Sequence, residues 1–233
     1  MKPPATQYKN RVLAALPRAE INRLTPHLSP VTLKTRTELI DGKAPYAYFM
    51  EEGLASIVLT LADGATVEVG VVGIDGVVGL PILLGADTMP GRTFIQVGGS
   101  GYRIKAKLLK AEFERPGQLR SQLQKYMLAH LVQSAQNAAC NRLHTINERL
   151  SRWLLTCHDR VQSDTISITQ ESLGQMLGAP RTTVTLAAGM LQQAGLIDYS
   201  RGNLHIKNRR GLERVACECY GTVRDEFLRL GLL

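Results

Sequence analysis

The chain has 233 residues, 44% of them hydrophobic and 21% charged, enough apolar material for one large or two modest cored domains. Its net charge of +8 suits an anionic partner, nucleic acid or a membrane surface, yet many proteins of this charge bind neither. No run of about 18 apolar residues occurs, and the start from Met1 to Leu16 lacks the apolar core of a signal peptide, so no spanning helix is expected and the expected location is the cytoplasm.

Residues from about Tyr8 to Leu28 read as a short amphipathic helical lead-in with Val12, Leu13, Leu16, Ile21 and Leu24 on its apolar side. From Val31 to Ile104 the pattern becomes short β-prone runs between turn signals. Ala55–Leu61 and Thr66–Val72 flank Ala62-Asp63-Gly64, a hairpin turn in which glycine supplies the positive φ. Asp75-Gly76 marks another turn and Gly98-Gly99-Ser100-Gly101 a third. Many short strands at regular spacing predict a β-barrel, roll or sandwich.

After Pro116-Gly117 a long helix is predicted over Gln118 to Leu143, about 39 Å at 1.5 Å per residue. Leu119, Leu123, Met127, Leu131 and Ala135 recur every four residues, and Tyr126, Leu128, Val132 and Ala139 add apolar character elsewhere around the helix. A helix apolar on more than one face must bury more than one face: one can lie on the β-roll, which leaves another for a partner helix, the alternative being a helix buried within one subunit. A further helix is expected over Ile146–Val161, then a strand at Thr165–Ile168. After the segment discussed next come a turn-like Asp198–Asn203, a strand at Leu204–Ile206, and helical residues from about Arg210 to Leu230. The domains expected are 1–117, 118–145 and 146–233.

Residues 169–197, TQESLGQMLGAPRTTVTLAAGMLQQAGLI, carry the strongest local signal. Thr169 can cap a helix whose inward face is Leu173, Met176 and Leu177. Gly178 allows a sharp corner, and Pro180 suits the start of a second helix. Val184, Leu186, Ala187 and Leu191 mark the packed side of that helix, and Gly195 stops it. This is a helix-turn-helix pattern, in which the second helix offers its N-terminal residues to the DNA major groove. Arg181, Thr182, Thr183 and Thr185 lie there: arginine can bond guanine in two places, and threonine can meet a thymine methyl or a phosphate. Ser200-Arg201-Gly202-Asn203 would form a wing along the phosphate backbone. From Gly178 to Arg214, Arg181, Arg201, Lys207, Arg209, Arg210 and Arg214 face only Asp198 and Glu213.

The four cysteines, Cys140, Cys157, Cys217 and Cys219, are too few and too far apart for a disulfide framework. Cys217-Glu-Cys219 offers half a metal site, but no second CxxC or His-x-x-x-His accompanies it. The reading is therefore buried or idle thiols on a helix, with no metal expected.

The order of β-roll, long helix and winged helix-turn-helix resembles the Crp–Fnr family of bacterial transcription regulators. The strongest local likeness lies in Glu148-Arg-Leu-Ser-Arg-Trp-Leu-Leu155, Ile168-Thr-Gln-Glu-Ser-Leu-Gly-Gln-Met-Leu-Gly178, Arg181-Thr-Thr-Val184 and Ala194-Gly-Leu-Ile197. The resemblance implies an α+β chain: an N-terminal double-stranded β-helix of the cyclic-nucleotide-binding-like kind, a long dimerisation helix, and a C-terminal winged helix-turn-helix. It implies a homodimer joined along the long helix, binding a near-palindromic double-stranded DNA site and working with RNA polymerase. By the same resemblance Thr169 and Gln170 lie at the DNA, Thr169 holding a phosphate, and Arg181 reads a base. Thr182 and Leu186 stand where cyclic-AMP-type members have Glu and Arg, so their operator does not carry over.

Cyclic-nucleotide members use a Gly-Glu-x-Gly turn and a downstream Arg-Ser/Thr pair. Here the turn is Gly76-Val77-Val78-Gly79, without the carboxylate, while Arg92-Thr93 fits the phosphate pair and Ser134 the base-contacting hydroxyl. Gly76, Val77, Gly79, Leu80, Arg92, Thr93 and Ser134 are thus the candidate effector pocket, although the run Gly76–Gly85 either lines a pocket or fills the roll. The balance is against a cyclic-AMP sensor, and no cofactor is assigned. No cysteine precedes Cys140, which excludes the iron–sulfur branch, and His27 is a lone histidine without an assignable haem role. Two other functions compete: a cyclic-nucleotide-binding module whose C-terminal domain binds protein, which the basic excess disfavours, and an enzyme. For the last there is no phosphate loop, nucleophile motif or metal-ligand spacing, and Glu51-Glu52 and Asp225-Glu226 are adjacent pairs that solvate a surface.

Overall fold

The computed structural model describes residues 8–86 and 88–233; residues 1–7 of the start discussed above, and Asp87, lie outside that range. Pro17 divides the lead-in into α1 (Arg11–Ala14) and α2 (Arg18–Leu24), since proline has no N–H to continue the first helix. Val12, Leu13, Leu16 and Leu24 are buried, and Ile21 is half-buried. Asn10 fastens this segment to the roll by donating to the Met50 and Gly76 carbonyls at 3.0 and 2.8 Å.

Eight strands follow: β1 (Ser29–Leu33), β2 (Glu38–Lys43), β3 (Tyr46–Met50), β4 (Leu54–Thr60), β5 (Thr66–Val72), β6 (Val77–Val78), β7 (Thr88–Val97) and β8 (Gly99–Lys105). They form two antiparallel sheets, in the orders β1-β8-β3-β6 and β2-β7-β4-β5. The β4–β5 hairpin turns where expected, with Gly64 at φ +86° and the Asp63 carboxylate accepting the Ala65 N–H at 2.9 Å. The glycine-rich third turn is shorter than expected. Only Gly98 lies between strands; Gly99–Gly101 belong to β8, where a Cβ on Gly101 would stand 2.4 Å from the Phe49 carbonyl of β3. Those glycines permit close strand contact rather than a turn. A one-turn helix, α3 (Leu80–Leu83), interrupts the β-prone region after Gly79, which sits at φ +108°.

Helix α4 (Ala106–Glu114), absent from the sequence reading, leads into α5 (Gln118–Leu143), whose bounds match expectation. Both Glu20 carboxylate oxygens accept N–H groups of its first turn, Gln118 and Leu119, at 2.8 Å, satisfying donors that a helix start leaves free. The every-four apolar series is not one dimer-facing stripe. Leu119 and Leu123 are buried in the protomer's own core, Met127 is half-buried, and Leu131 and Ala135 are exposed. At about 100° per residue, each four-residue step turns about 40° past a full revolution, so the series winds from the core side to the opposite side. Gln133 and Asn137, also buried, bond the backbone of β5: Val71 N–H donates to Gln133 at 2.9 Å, and Asn137 donates to the Val69 carbonyl at 3.2 Å. They cover an edge strand whose backbone groups need partners.

His144 is extended and separates α5 from α6 (Ile146–Val161), which starts on a Thr145/Glu148 capping box. Then come β9 (Thr165–Ser167), α7 (Gln170–Leu177), α8 (Arg181–Gln193), β10 (Ile197–Ser200) and β11 (Asn203–Ile206), the strands in the order β10-β11-β9. The expected single closing helix is two, α9 (Arg209–Val215) and α10 (Cys219–Arg229), parted where Ala216 turns extended.

Two apolar cores result. One joins the roll to α1, α2, the first half of α5 and the tail residues Phe227, Leu230 and Leu232. The other joins Leu54, Val58 and Val71 to α6 and the helix-turn-helix. Buried polar groups bridge the roll and α6. Glu68 accepts the Trp153 indole N–H at 2.8 Å and the Ser56 hydroxyl at 2.6 Å. Arg160 and Asp75 stand 2.8 Å apart, both almost fully buried, though off the hydrogen-bond direction.

Candidate nucleic-acid interface

The helix-turn-helix is assembled as its local residues dictate. The Thr169 hydroxyl accepts the Ser172 N–H at 3.1 Å and donates to the Ser172 hydroxyl at 2.9 Å, capping α7. Gly178 ends that helix at φ +55°, with Val67 of the β4–β5 hairpin directly beneath it. Leu173, Met176, Leu177, Val184, Ala187 and Leu191 are buried, as their spacing predicts. Leu186 is not on the packed side with them: it is 69% exposed. Four residues after Thr182, it shares that residue's outer face, since such a spacing brings side chains round to the same side.

Thr169, Gln170, Arg181, Ser200 and Arg201 converge on one open cleft of about 550 Å³, formed by the starts of α7 and α8 and by the wing. Gly202, part of the expected wing, completes it together with Glu171 and Tyr199, which were not singled out from sequence. The Tyr199 hydroxyl donates to the Ile168 carbonyl at 2.8 Å, fixing the wing to the helix pair. Burial pushes the Tyr199 phenol up, and the charge of Arg181 opposes the shift. Arg201 and Gly202 make the wing tip, with φ +49° and +78°, the geometry of a two-residue hairpin turn. Thr185 donates to the Arg181 carbonyl at 2.8 Å and lies 3.0 Å from the Gln170 amide oxygen, tying the two helices together at the cleft. Thr182 and Thr185 are exposed; Thr183 is half-buried, about 200° around the helix from Arg181, and does not share the outer face.

The basic excess is smaller than a count suggests. Arg209 is committed internally, 2.7 Å from Asp159 and bonded to the Tyr220 hydroxyl at 2.6 Å. Arg181, Arg201, Lys207, Arg210 and Arg214 remain exposed.

Residues 148–215 match the model of the Crp-like helix-turn-helix domain. FixK2 from Bradyrhizobium japonicum superposes with a TM-score of 0.69 at 17% identity, over 82% of this chain and 98% of that one. A Crp/Fnr-family transcriptional regulator from Thermus thermophilus gives 0.66 at 18%, over 81% and 98%. The c-di-GMP-responsive global regulator CLP of Xanthomonas campestris gives 0.63 at 18%, over 82% and 99%. The chain carries a Crp-like helix-turn-helix domain and shares the fold of Crp/Fnr-family regulators. At these identities the structural likeness speaks for the fold alone. No curated protein matches the chain. Among the described residues no helix is long and apolar enough to cross a membrane.

The N-terminal half of the fold holds a cavity of about 770 Å³ between the roll and α5. Val77, Gly79, Leu80, Thr93 and Ser134 line it, as expected. Gly76 and Arg92 do not. A Cβ on Gly76 would stand 2.1 Å from the Tyr126 ring, so that glycine serves a close contact with α5. Arg92 follows the alternation of β7 to the opposite face from Thr93, where it pairs with Glu38 at 3.0 Å in solvent. The expected phosphate pair is therefore split across the sheet. The remaining lining is mostly apolar, including Ile57, Val69, Met127 and Leu131, with His130 as a further polar group. Burial, aided by Arg160, holds the His130 imidazole down at about 4.

The Cys217-Glu218-Cys219 pair has partners after all. Cys140 and His144, four residues apart at the end of α5, meet it where the chain parts between α9 and α10. Sequence reading missed this because the signal is a Cys-x-x-x-His on a different helix, more than seventy residues away from the CxC.

Proposed function

We propose that the chain acts as a homodimeric, sequence-specific DNA-binding transcription regulator of Crp–Fnr type that does not sense cyclic AMP. The observation that carries the reading is the convergence of Thr169, Gln170, Arg181, Ser200 and Arg201 on one cleft between two helix starts and a wing. Helix starts and the wing offer backbone N–H groups and cations to phosphates, while Arg181 heads the helix that enters the major groove. Leu186, exposed on the same face as Thr182, adds an apolar contact suited to thymine methyls. That combination gives this chain an operator of its own.

Dimerisation is supported by exposed Leu128 and Leu131 on α5, with exposed Leu84 of the roll beside them at the same cavity rim. Exposed leucines grouped in this way favour burial against a second copy. Two recognition helices would then meet half-sites about 34 Å apart. The apolar cavity, the missing carboxylate at Val77 and the outward Arg92 favour an apolar effector over a cyclic nucleotide.

The test is selection of bound sequences from random duplexes by purified protein, followed by salt titration of the selected site. The reading predicts a common near-palindrome, with log K falling by about 0.9 per neutralised phosphate for each tenfold rise in salt. Recovery of unrelated sequences without two-fold symmetry would overturn it.

A further inference from the structure

We propose that Cys140, His144, Cys217 and Cys219 form a tetrahedral Zn²⁺ site that staples the end of the long helix to the C-terminal segment. Their four ligand atoms all lie within 4.8 Å of one another. Cys140 and Cys217 sulfurs stand 3.5 Å apart, and the Cys219 sulfur stands 3.5 Å from His144 Nδ1. Thiolates on tetrahedral zinc, with Zn–S near 2.3 Å, stand about 3.8 Å from one another, so little movement is needed to close the site. The separation of 3.5 Å is well beyond a disulfide bond of about 2.05 Å. Three sulfurs and one imidazole are also a soft donor set of the kind that selects zinc over magnesium or calcium.

The surroundings point the same way. His144 turns Nδ1 to the sulfurs and Nε2 to the Glu218 carboxylate at 3.3 Å. Metal-bound histidines are oriented by such carboxylates on the other ring nitrogen. Gln136 donates to the Cys219 sulfur at 3.1 Å. Arg149 and Arg152 act on Cys140 and offset the negative charge that three thiolates and one imidazole would leave around a divalent ion. The three cysteines are buried as a small cluster of their own, separate from both apolar cores. The chain also leaves helical geometry at Ala216, just where it presents Cys217 and Cys219.

The location gives the site a consequence. Cys140 and His144 are the last turn of α5 and its cap, immediately before the α5–α6 junction, while Cys217 and Cys219 follow the winged domain. A bound ion would fix the DNA-binding domain's position against the dimer helix from both of its ends. Release of the ion or oxidation of the thiols would free that junction.

Full-length protein, purified under reducing conditions from zinc-supplemented cells, should hold about one zinc per chain by elemental analysis. After removal and replacement with Co²⁺ it should show four-coordinate ligand-field bands and thiolate charge-transfer absorption. Cys217→Ser and His144→Ala should each lose the stoichiometric metal and the Co²⁺ spectrum, while Cys157→Ser, whose thiol is buried elsewhere in α6, should keep both. His144 lies at the edge of the site, so its variant tests binding if Cys217→Ser does not fold. Wild-type protein with no stoichiometric zinc and no thiolate–Co²⁺ spectrum overturns the proposal. So does iron with acid-labile sulfide in place of zinc, or a Cys140–Cys217 disulfide in metal-free protein isolated under the same conditions.

Discussion

Replacing Glu68 by Gln should remove a pH-dependent cost at the contact between the roll and α6. Glu68 is 5% exposed, and its carboxyl accepts from Ser56 and Trp153. Removal from water pushes its pKa from 4.5 up to about 7, against the two hydrogen bonds and the charges of Arg152 and Arg160, which pull it down. The folded chain therefore binds more protons here than the unfolded chain between those two values. Its stabilising effect is fully present below pH 4.5 and is lost as pH rises to 7, a change of about 3 kcal/mol at 1.36 kcal/mol per unit.

His130 runs the other way. Its folded value of about 4 lies below the ordinary 6.5, so stability is lost as pH falls through that interval. The two slopes oppose each other between about pH 4.5 and 6.5, and the wild-type curve alone hides both. Comparison with Glu68→Gln isolates the carboxylate, because the amide can accept from Trp153 and donate to the Ser56 oxygen without ever ionising. Urea unfolding should show the two proteins nearly equal at about pH 4.5, with the Gln variant about 3 kcal/mol more stable at about pH 8. A difference between the proteins that is the same at both pH values would refute the reasoning.

Arg181→Ala should cost about 1–3 kcal/mol at the selected site and relax preference at one base position, whereas Arg201→Ala should weaken all sequences alike and flatten the salt dependence; equal loss of specificity in competition assays would refute that division. Leu131→Glu, on an exposed side chain, should leave thermal unfolding of the protomer near wild type yet shift the chain to monomer by light scattering and abolish palindrome binding. A persistent dimer would place the interface elsewhere. Gly76→Ala would drive a methyl into the Tyr126 ring and should destabilise by about 1–3 kcal/mol in urea unfolding, a cost absent if Tyr126 moves freely.

The helix-turn-helix was legible because its determinants are local: Thr169, Gly178 and Pro180 act within a residue or two of themselves. Leu186 was misplaced because an apolar residue in a helix was assumed to point inward, whereas this one is exposed on α8. The cysteine cluster was illegible for a different reason. Cys140 and Cys217 meet only because α10 packs along α5, and the helix break that carries the CxC to them has neither Gly nor Pro to announce it.

Glu68 shows where pattern reading stops and why. In Thr66-Val-Glu-Val-Gly-Val-Val72 the alternation places Glu68 and Val69 on opposite faces of the strand, and so they are: Val69 lines the cavity and Glu68 faces Trp153. Parity sets the direction of the carboxylate but not its environment, because the outer face of the roll is solvent only if nothing lies on it. Here α6 lies on it. A charged residue at an outward position is ordinarily a solvated one, and only a second element arriving from about eighty residues away turns it into a buried acid with a value near 7. The same covering pairs Asp75 with Arg160, whose charge also reaches His130 beside the cavity.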